Sequence, residues 1–381
     1  MIGFVFSLIL EKGKSISVLL LPFFVSVQAW AFPELVKHGY VNCSSCHVSP
    51  SGGGILSPYG RELSKEVLST WGKDGEQAFV YNLVKPPEWL LGGGDVRAIQ
   101  TYKDTATRTS GQLFLMQADL ELAANYKQFT FDGTLGYNYF TPPNPSLSDY
   151  VISRRYYVNY KLTETLSFRA GKFLYDFGIN TPDHFIVVRR GLQINDEGFE
   201  TFNLEGAYIG ENYNLFITGI LGRPDSLSLQ REKGISISPS MSLGGTYKVG
   251  LDYLYGSNDL QNRNVFGPFW ILGFSPQIAF LSEIDFQMLN NNTASNGATQ
   301  TGFASYNKFD YEFTQGFHGY LSQEFVRYDF SDPTTIGKAN GIGFQFFPRP
   351  HFEFDITYEL RTDPGSTLSY DYAYFIFHYY L

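Results

Sequence analysis

Hydrophobic and polar residues alternate one by one along most of this chain, from about residue 91 to its last residue. In the clearest stretch, 351–361, the odd-numbered positions are polar or charged and the even-numbered positions are apolar. Because successive side chains of a β-strand point to opposite faces, such a segment has one wet face and one apolar face. The same alternation over 112–122 and 277–287 predicts further strands of this kind.

About sixteen segments of this type follow one another after residue 91. Their predicted bounds are 95–103, 111–124, 127–139, 149–161, 164–174, 198–209, 212–222, 235–247, 249–256, 263–273, 276–288, 299–312, 316–328, 337–347, 350–361 and 370–381. The sequence therefore predicts an all-β fold.

The connections between these segments are expected to alternate strictly between short and longer ones. Short connections fall near 125, 162, 210, 248, 274, 314 and 348, and longer ones near 106, 144, 186, 228, 259, 294, 332 and 365. A transmembrane, antiparallel, up-and-down β-barrel has this pattern, with tight periplasmic turns on one rim and extracellular loops on the other. An even strand number then places both termini on the periplasmic side of the bacterial outer membrane.

Composition supports a barrel in contact with outer-membrane lipid. Aromatic residues make up 17% of the 381 residues, glycine occurs 38 times, and the mean hydropathy is only -0.15. After residue 31 there is no apolar run of about 18 residues, the length that would indicate a membrane-spanning helix. The net charge of -9 and the lack of a basic stripe exclude a nucleic-acid partner.

Residues 1–31 have the pattern of a secretory signal peptide. Lys12 and Lys14 supply the positive region, 17–27 is an apolar core, and Ala29-Trp30-Ala31 is a cleavage site. The alternative, a membrane anchor, needs a longer apolar core. Export is therefore predicted.

Cys43 and Cys46 are the only cysteines, and with His47 they form a C-x-x-C-H motif. This is the attachment sequence for a c-type haem: two thiols at this spacing reach the two vinyl groups, and the adjacent imidazole becomes an axial iron ligand. The alternatives are a redox dithiol, half of a zinc site, a local disulfide or a chance match. The trailing histidine and the absence of a second cysteine pair favour one covalent haem c.

The motif lies in a segment, 32–90, that is predicted to be a small monohaem cytochrome segment ahead of the barrel at 91–381. Gly52 to Gly54 would let the backbone pass close to the porphyrin. Arg61 is a candidate partner for a haem propionate, since a guanidinium matches a carboxylate; a surface arginine at a helix start is the alternative. One short helix is expected over 62–71. The segment has little apolar content and is expected to need the haem and a surrounding wall to fold.

This layout resembles the fused porin-cytochromes of the outer membrane, whose best-known members are iron-oxidising. Those members carry a leucine, threonine, proline, phenylalanine, glycine, arginine run after the haem motif, and Leu56-Ser57-Pro58-Tyr59-Gly60-Arg61 is similar to it. The Gly52–Gly54 insert departs from their pattern. The architectural likeness covers the whole chain, and the residue likeness covers only about 43–61. The resemblance implies electron exchange across the outer membrane and, if the protein is an enzyme, an oxidoreductase of the iron-oxidising cytochrome type.

The second axial ligand of the iron is left open between two histidines and an open site. His38 precedes the motif, and His184 lies in the longest predicted loop, 175–197, of a kind that often folds into porin lumens. Three methionines are expected to face lipid, and three other histidines are expected to be ordinary lumen residues. These are Met116, Met241 and Met288, and His318, His351 and His378.

The main functional hypothesis is electron transfer between an extracellular donor or acceptor, such as Fe(II), and a periplasmic carrier such as a soluble cytochrome. The haem would be held in or at the barrel lumen. Loop carboxylates such as Asp183, Asp196 and Glu197 could hold iron transiently.

Two alternatives remain at this point. The first is a solute-diffusion porin with a structural or sensory haem plug, in which Arg189 and Arg190 would line a constriction. The second is a haem peroxidase with an open iron site and His38 as the distal base.

Overall fold

The computed structural model describes residues 32–138, 144–183, 186–194, 198, 200–223, 232–290 and 297–381. The predicted signal peptide, 1–31, lies outside the described residues. The strands are β1 (Leu90–Asp104), β2 (Thr109–Tyr126), β3 (Phe129–Tyr137), β4 (Val151–Ile152), β5 (Tyr156–Lys161), β6 (Leu166–Phe173), β7 (Thr201–Ile209), β8 (Tyr213–Gly222), β9 (Lys233–Leu243), β10 (Tyr247–Ser257), β11 (Asn262–Ser275), β12 (Ile278–Asn290), β13 (Gln300–Thr314), β14 (Phe317–Arg327), β15 (Ile336–Phe346), β16 (Phe352–Thr362) and β17 (Tyr370–Tyr380).

These strands form one closed antiparallel barrel. Each pairs with its neighbours in the sequence, and β1 pairs with β17 from Asp95↔Tyr380 to Asp104↔Asp371. The short β4 and the longer β5 both pair with β3, so together they occupy one strand position of the barrel. The described chain therefore fills sixteen strand positions around the barrel, and one of these positions is shared by β4 and β5. The all-β fold and each of the sixteen predicted segments are confirmed, with bounds that differ by a few residues.

Side chains sort between lumen and outer surface as the alternation predicts. In β16, Glu353, Asp355 and Glu359 point inward and are buried. Their neighbours Ile356 and Tyr358 are 57% and 47% exposed on the outside. Exposed apolar side chains on a barrel exterior are the surface that lipid covers.

A β-bulge in β2 corrects the predicted orientation of Met116. Arg97 of β1 pairs with Gln117, but the next residue, Ala98, pairs with Leu115, so Met116 is an extra residue in its strand. An extra residue reverses the inside–outside phase of everything before it. Met116 consequently lines a cavity in the lumen, whereas it was expected to face lipid. Met288 does face outward, at 42% exposure.

The strict alternation of loop lengths was wrong at three connections. The connections 105–108 and 258–261 were expected to be longer ones, yet each has only four residues between strands. The turn 347–351, expected to be short, is longer than either. Both four-residue connections close on themselves through backbone hydrogen bonds, Thr105 with Arg108 and Asn258 with Gln261, which is why they stay tight.

The N-terminal segment, residues 32–89, has only short helical turns and is called the plug below. These are 3₁₀ turns at Pro33–His38, Cys43–Ser45 and Phe79–Asn82, the helix α1 (Pro58–Leu63), and a π-helical turn at Ser64–Leu68. The helix expected over 62–71 thus begins earlier. Ser57 caps it by accepting a hydrogen bond from the Gly60 amide, and Pro58 stands in the first turn, where a missing amide hydrogen costs nothing.

The plug lies inside the barrel at the end with the short turns. Lys37 is fully buried and pairs with Asp310 and Glu312 of β13, each at 2.9 Å. Two residues that follow the motif, Ser49 and Ser51, accept hydrogen bonds from Arg169 of β6 at 2.9 and 3.0 Å. These contacts fix the plug to the lumen wall.

The connection between β6 and β7 also folds into the lumen. Its described residues 174–183 and 186–194 are called the lumen loop below, and they include a π-helical turn at Val187–Gly191. Phe177, Val188 and Ile194 of this loop are fully buried against inward-facing apolar residues of the barrel, such as Leu254 and Val265. An apolar cluster therefore fills part of the lumen. Among the described residues, no helix is long and apolar enough to cross a membrane.

Candidate functional site

The C-x-x-C-H motif forms a single helical turn. The amides of Cys46 and His47 donate to the Cys43 carbonyl at 3.1 and 3.0 Å. Cys46 and His47 line the same cavity, whereas Cys43 lines two smaller ones. A bridge between His47 and Leu56 and a 2.7 Å hydrogen bond from the Ser57 amide to the Cys46 carbonyl brace the turn.

The motif side chains are un-ionised at neutral pH. Both cysteines are free thiols. Burial, followed by the neighbouring Cys43, raises the pKa of Cys46 to about 12, and burial is also the main cause that raises the pKa of Cys43. Burial lowers the pKa of His47 to about 4, and its Nδ1 lies 3.3 Å from the Gly54 carbonyl oxygen. That contact leaves Nε2 as the ring nitrogen that can bind a metal.

The three glycines after the motif pass through a narrow space. Gly52, Gly53 and Gly54 all have left-handed backbone angles, with φ of +89°, +72° and +66°. A Cβ on Gly52 would come 2.9 Å from the Cβ of Cys43, and a Cβ on Gly54 would come 2.7 Å from the Glu121 carboxylate. Glycine is therefore required twice over, by conformation and by space.

Cys46 and His47 of the motif line a cavity that is called the motif cavity below. It encloses about 1140 Å³ of empty space, part of it continuous with solvent. Three parts of the chain line it: the plug, the lumen wall and the lumen loop. The plug contributes Cys46, His47 and Gly52–Gly54 to this lining. The wall contributes Asp95, Arg97, Arg155 and His378, and the loop contributes Asn180, Thr181 and Pro182.

The candidate distal ligands are placed as follows. His38 does not line the motif cavity: its Nε2 lies 3.4 Å from Glu312, beside the buried Lys37. His184 lies outside the described residues. His378 does line the cavity, but its two ring nitrogens are each 2.7 Å from a carboxylate oxygen, of Asp95 and of Glu353. Both of its nitrogens are thus already engaged.

Arg61 lies apart from the motif cavity. Gly60 and Ser64, one turn apart on the same side of their helix, line the cavity, whereas the described lining does not include Arg61. The buried Arg61 guanidinium donates to the Gly92 carbonyl and lies over the Phe79 ring. Burial lowers the pKa of Arg61 to about 10.

A second cavity of about 680 Å³ shares Arg97, Pro182 and His378 with the motif cavity. Five carboxylates line it: Asp183, Glu324, Glu353, Asp355 and Glu359. Asp183 is thus in the lumen beside this cavity, whereas Asp196 and Glu197 lie outside the described residues. No group of three or more His, Cys, Asp or Glu among the described residues is arranged to hold a metal ion.

The two loop arginines have different surroundings. Arg189 is buried and donates to both carboxylate oxygens of Glu283, at 2.7 and 2.8 Å. It also donates to the Ile179 carbonyl at 3.0 Å, so it fastens the lumen loop to β12 and does not face an open passage. Arg190 is exposed.

Sequence reasoning missed the wall of the motif cavity. The alternation does place Asp95 and Arg97 in the same phase of β1. It gives no information about which lumen residues meet the motif, because that depends on how deeply the plug enters the barrel. Arg155 was harder still to find, since it lies in the break between β4 and β5.

Comparison with solved structures shows which known barrels this fold resembles. No family model and no curated protein sequence matches this chain. Among solved structures it is similar to a loop-deletion mutant of OmpT, an outer membrane protein of Vibrio cholerae, with a TM-score of 0.61 and 13% identity over 77% of this chain and 99% of that one. It is also similar to an anion-selective porin from Comamonas acidovorans, with a TM-score of 0.59 and 10% identity over 77% and 99%.

A third similar structure is the outer membrane channel DcaP of Acinetobacter baumannii, with a TM-score of 0.55 and 10% identity over 77% of this chain and 97% of that one. At these identities the likeness concerns the fold. The barrel is therefore of the outer-membrane porin type.

Proposed function

We propose that this chain binds one haem c covalently through Cys43 and Cys46, with His47 as an axial ligand. We further propose that it passes electrons between an extracellular donor or acceptor and a periplasmic carrier. The observation that carries the proposal is the position of the C-x-x-C-H turn, which opens into a lumen cavity completed by the barrel wall and the lumen loop. A bilayer core is about 30 Å thick, so a haem held inside a barrel can be approached from both rims, unlike one in the periplasm.

The residues present fit a haem c in three respects. The motif cavity is bounded by the plug, the barrel wall and the lumen loop, and Cys46 and His47 both line it. The thiols are free, and the imidazole is neutral, as an iron ligand must be. The left-handed glycine run keeps side chains from the space beside Cys43.

The chain's own residues would orient and shield this group. The Gly54 carbonyl would hold the His47 ring through Nδ1, which would leave Nε2 as the nitrogen that binds an iron. The plug and the loop line part of the cavity, and another part of it is open to solvent. When bound, the haem supplies one-electron chemistry, with a potential that its axial ligands and burial set.

The sequence leaves the distal ligand open between His184, His38 and an open site, and His38 does not line the motif cavity. Thr181 and Pro182, near neighbours of His184 in the sequence, line the motif cavity. Replacement His184→Ala is expected to change the haem spectrum from six-coordinate low-spin to high-spin. An unchanged spectrum would assign the position to another residue.

The first test is haem content. Purified protein should show a c-type pyridine haemochrome spectrum and a haem band on a denaturing gel, since the bond is covalent. Cys43→Ser/Cys46→Ser should remove both signals while the barrel still folds. Folded wild-type protein without haem, made in cells that mature other c-type cytochromes, would contradict the proposal.

A solute channel closed or regulated by a haem plug is the second candidate, and the fold comparisons favour it. Two of the similar structures are an outer membrane channel and an anion-selective porin. Liposome swelling in small sugars separates the two functions. The electron-transfer proposal expects little swelling, because the plug and the lumen loop both occupy the lumen; swelling as fast as with an open porin would support the channel. Fe(II) as the donor rests on the resemblance alone.

A further inference from the structure

We propose that Arg155 and Arg97 form the anion-binding end of the motif cavity and hold the carboxylate groups of its ligand. This inference rests on the proposed function, under which those carboxylates are the two haem propionates. It assigns to the barrel wall a role that the sequence suggested for Arg61.

Arg155 is positioned against the glycine run of the plug. Its backbone is fixed to β3, since its amide donates to the Thr134 hydroxyl and its carbonyl accepts from the Thr134 amide, both at 2.8 Å. Its Nη1 lies 3.3 Å from the point where a Cβ of Gly53 would stand. Its Nη2 donates to Glu121 at 3.2 Å. The guanidinium therefore lies where the motif meets the wall.

Arg97 reaches the same cavity from β1. Its Nη1 donates to the Pro182 carbonyl of the lumen loop at 3.3 Å. Asp95, two residues earlier, lies 3.8 Å from the Arg97 guanidinium and accepts a closer contact, 2.7 Å, from His378. Asp95 thus lies closer to His378 than to Arg97, and the Arg97 guanidinium is one of the groups that line the motif cavity.

The charge of the lining favours an anion. The described residues that line the motif cavity include two guanidiniums, of Arg97 and Arg155, and one carboxylate, of Asp95. A second carboxylate, of Glu121, pairs with Arg155 at 3.2 Å but is not part of the lining. A carboxylate inside a lumen is unfavourable unless it is paired, and a guanidinium pairs it with two parallel hydrogen bonds. Haem brings two such carboxylates.

Arg61 does not offer the same pairing from its position. Its guanidinium faces Gly92 and Phe79 on the side of α1 away from the cavity. A propionate reaching it would have to pass the helix that carries Gly60 and Ser64, both part of the cavity lining.

The test compares the haem midpoint potential of purified holoprotein at one pH and one ionic strength. Arg155→Gln removes a positive charge beside the haem, which stabilises the ferric form, so the potential should fall. Arg155→Lys should stay closer to the wild type. The matched control is Arg154→Gln, since Arg154 is the adjacent lumen arginine, pairs with Asp119 at 2.8 Å and does not line the motif cavity.

Outcomes separate the two proposals. Wild-type protein without haem overturns the proposed function and this inference together. Normal wild-type haem with a potential that Arg155→Gln changes no more than Arg154→Gln overturns this inference alone. If Arg155→Gln does not fold, the resonance Raman band of the propionates is compared between wild type and Arg155→Lys. A shift of that band supports the contact, and an unchanged band contradicts it.

Discussion

His47 is the residue whose ionisation most directly links the motif to pH. Its pKa falls from 6.5 to about 4 because burial disfavours the imidazolium. The unfolded segment therefore binds a proton below pH 6.5 that the folded plug binds only near pH 4, and stability decreases as the pH falls through this window. At 1.36 kcal/mol per pH unit the full loss is about 3 kcal/mol.

This loss is measurable as the opening free energy of the motif amides in native-state hydrogen exchange. The protein should be Cys43→Ser/Cys46→Ser, so that no haem interferes. Adding His47→Gln should remove the part of the pH dependence between 6.5 and 4. If both proteins lose protection equally in that window, the buried neutral imidazole is contradicted.

Gly52 gives a second prediction at the scale of one residue. Gly52→Ala places a methyl group 2.9 Å from the Cβ of Cys43 at a φ of +89°. The left-handed angle alone costs about 1–2 kcal/mol, and the clash adds to it. We expect less haem attached per folded barrel, measured by the pyridine haemochrome spectrum.

Gly75→Ala is the matched control for Gly52→Ala. Gly75 has nearly the same φ, +88°, but nothing lies within 4 Å of its Cβ position. Its haem content should stay near that of the wild type. An equal loss in both variants would mean that backbone strain, and not the contact with Cys43, limits attachment.

Among the elements of the fold, the lumen loop is fastened to β12 by a buried ion pair between Arg189 and Glu283. Arg189→Ala removes the partner of Glu283 and leaves that carboxylate buried and uncompensated, a change that typically costs about 3–5 kcal/mol. The loop should detach from β12, and planar-bilayer recordings should show conducting bursts that the wild type lacks. The exposed Arg190→Ala is the control and should behave as the wild type. A silent Arg189→Ala channel would contradict this role of the loop.

The strands and their connections also show which parts of the fold can be predicted from the sequence. Alternation of polar and apolar residues predicts all sixteen strand positions of the barrel. In a strand between lipid and a polar lumen, successive side chains point to opposite sides. The alternation fails at Met116, where one bulge residue changes the phase. It fails again for the connections 105–108 and 258–261, whose tightness depends on local hydrogen bonds.

The chemistry of the site was predictable only where it is local in the chain. Cys43, Cys46 and His47 stand out because their spacing alone encodes the geometry. Arg97 and Arg155 reach the motif through the depth of the plug in the barrel, a tertiary property without a sequence pattern. Arg61 was proposed because a guanidinium matches a propionate carboxylate, and in the structure its guanidinium contacts Gly92 and Phe79.

The whole molecule combines a porin-type barrel with a filled lumen. The plug is tied to the wall by buried ion pairs and hydrogen bonds, and the lumen loop adds an apolar cluster. A diffusion pore needs a wet, continuous passage, whereas a haem carrier benefits from an enclosed one. The proposed function therefore predicts electron passage without comparable solute passage.

The most direct test uses purified protein in liposomes, oriented with the long loops outside. An impermeant reductant, or Fe(II), is added to the outside only, and the haem absorption band is followed by stopped flow. The account predicts rapid reduction of the haem, followed by reduction of an oxidised cytochrome c enclosed in the liposomes, and neither change in the Cys43→Ser/Cys46→Ser protein. A haem that stays oxidised until reductant reaches the other rim would contradict the account and leave the solute channel as the better explanation.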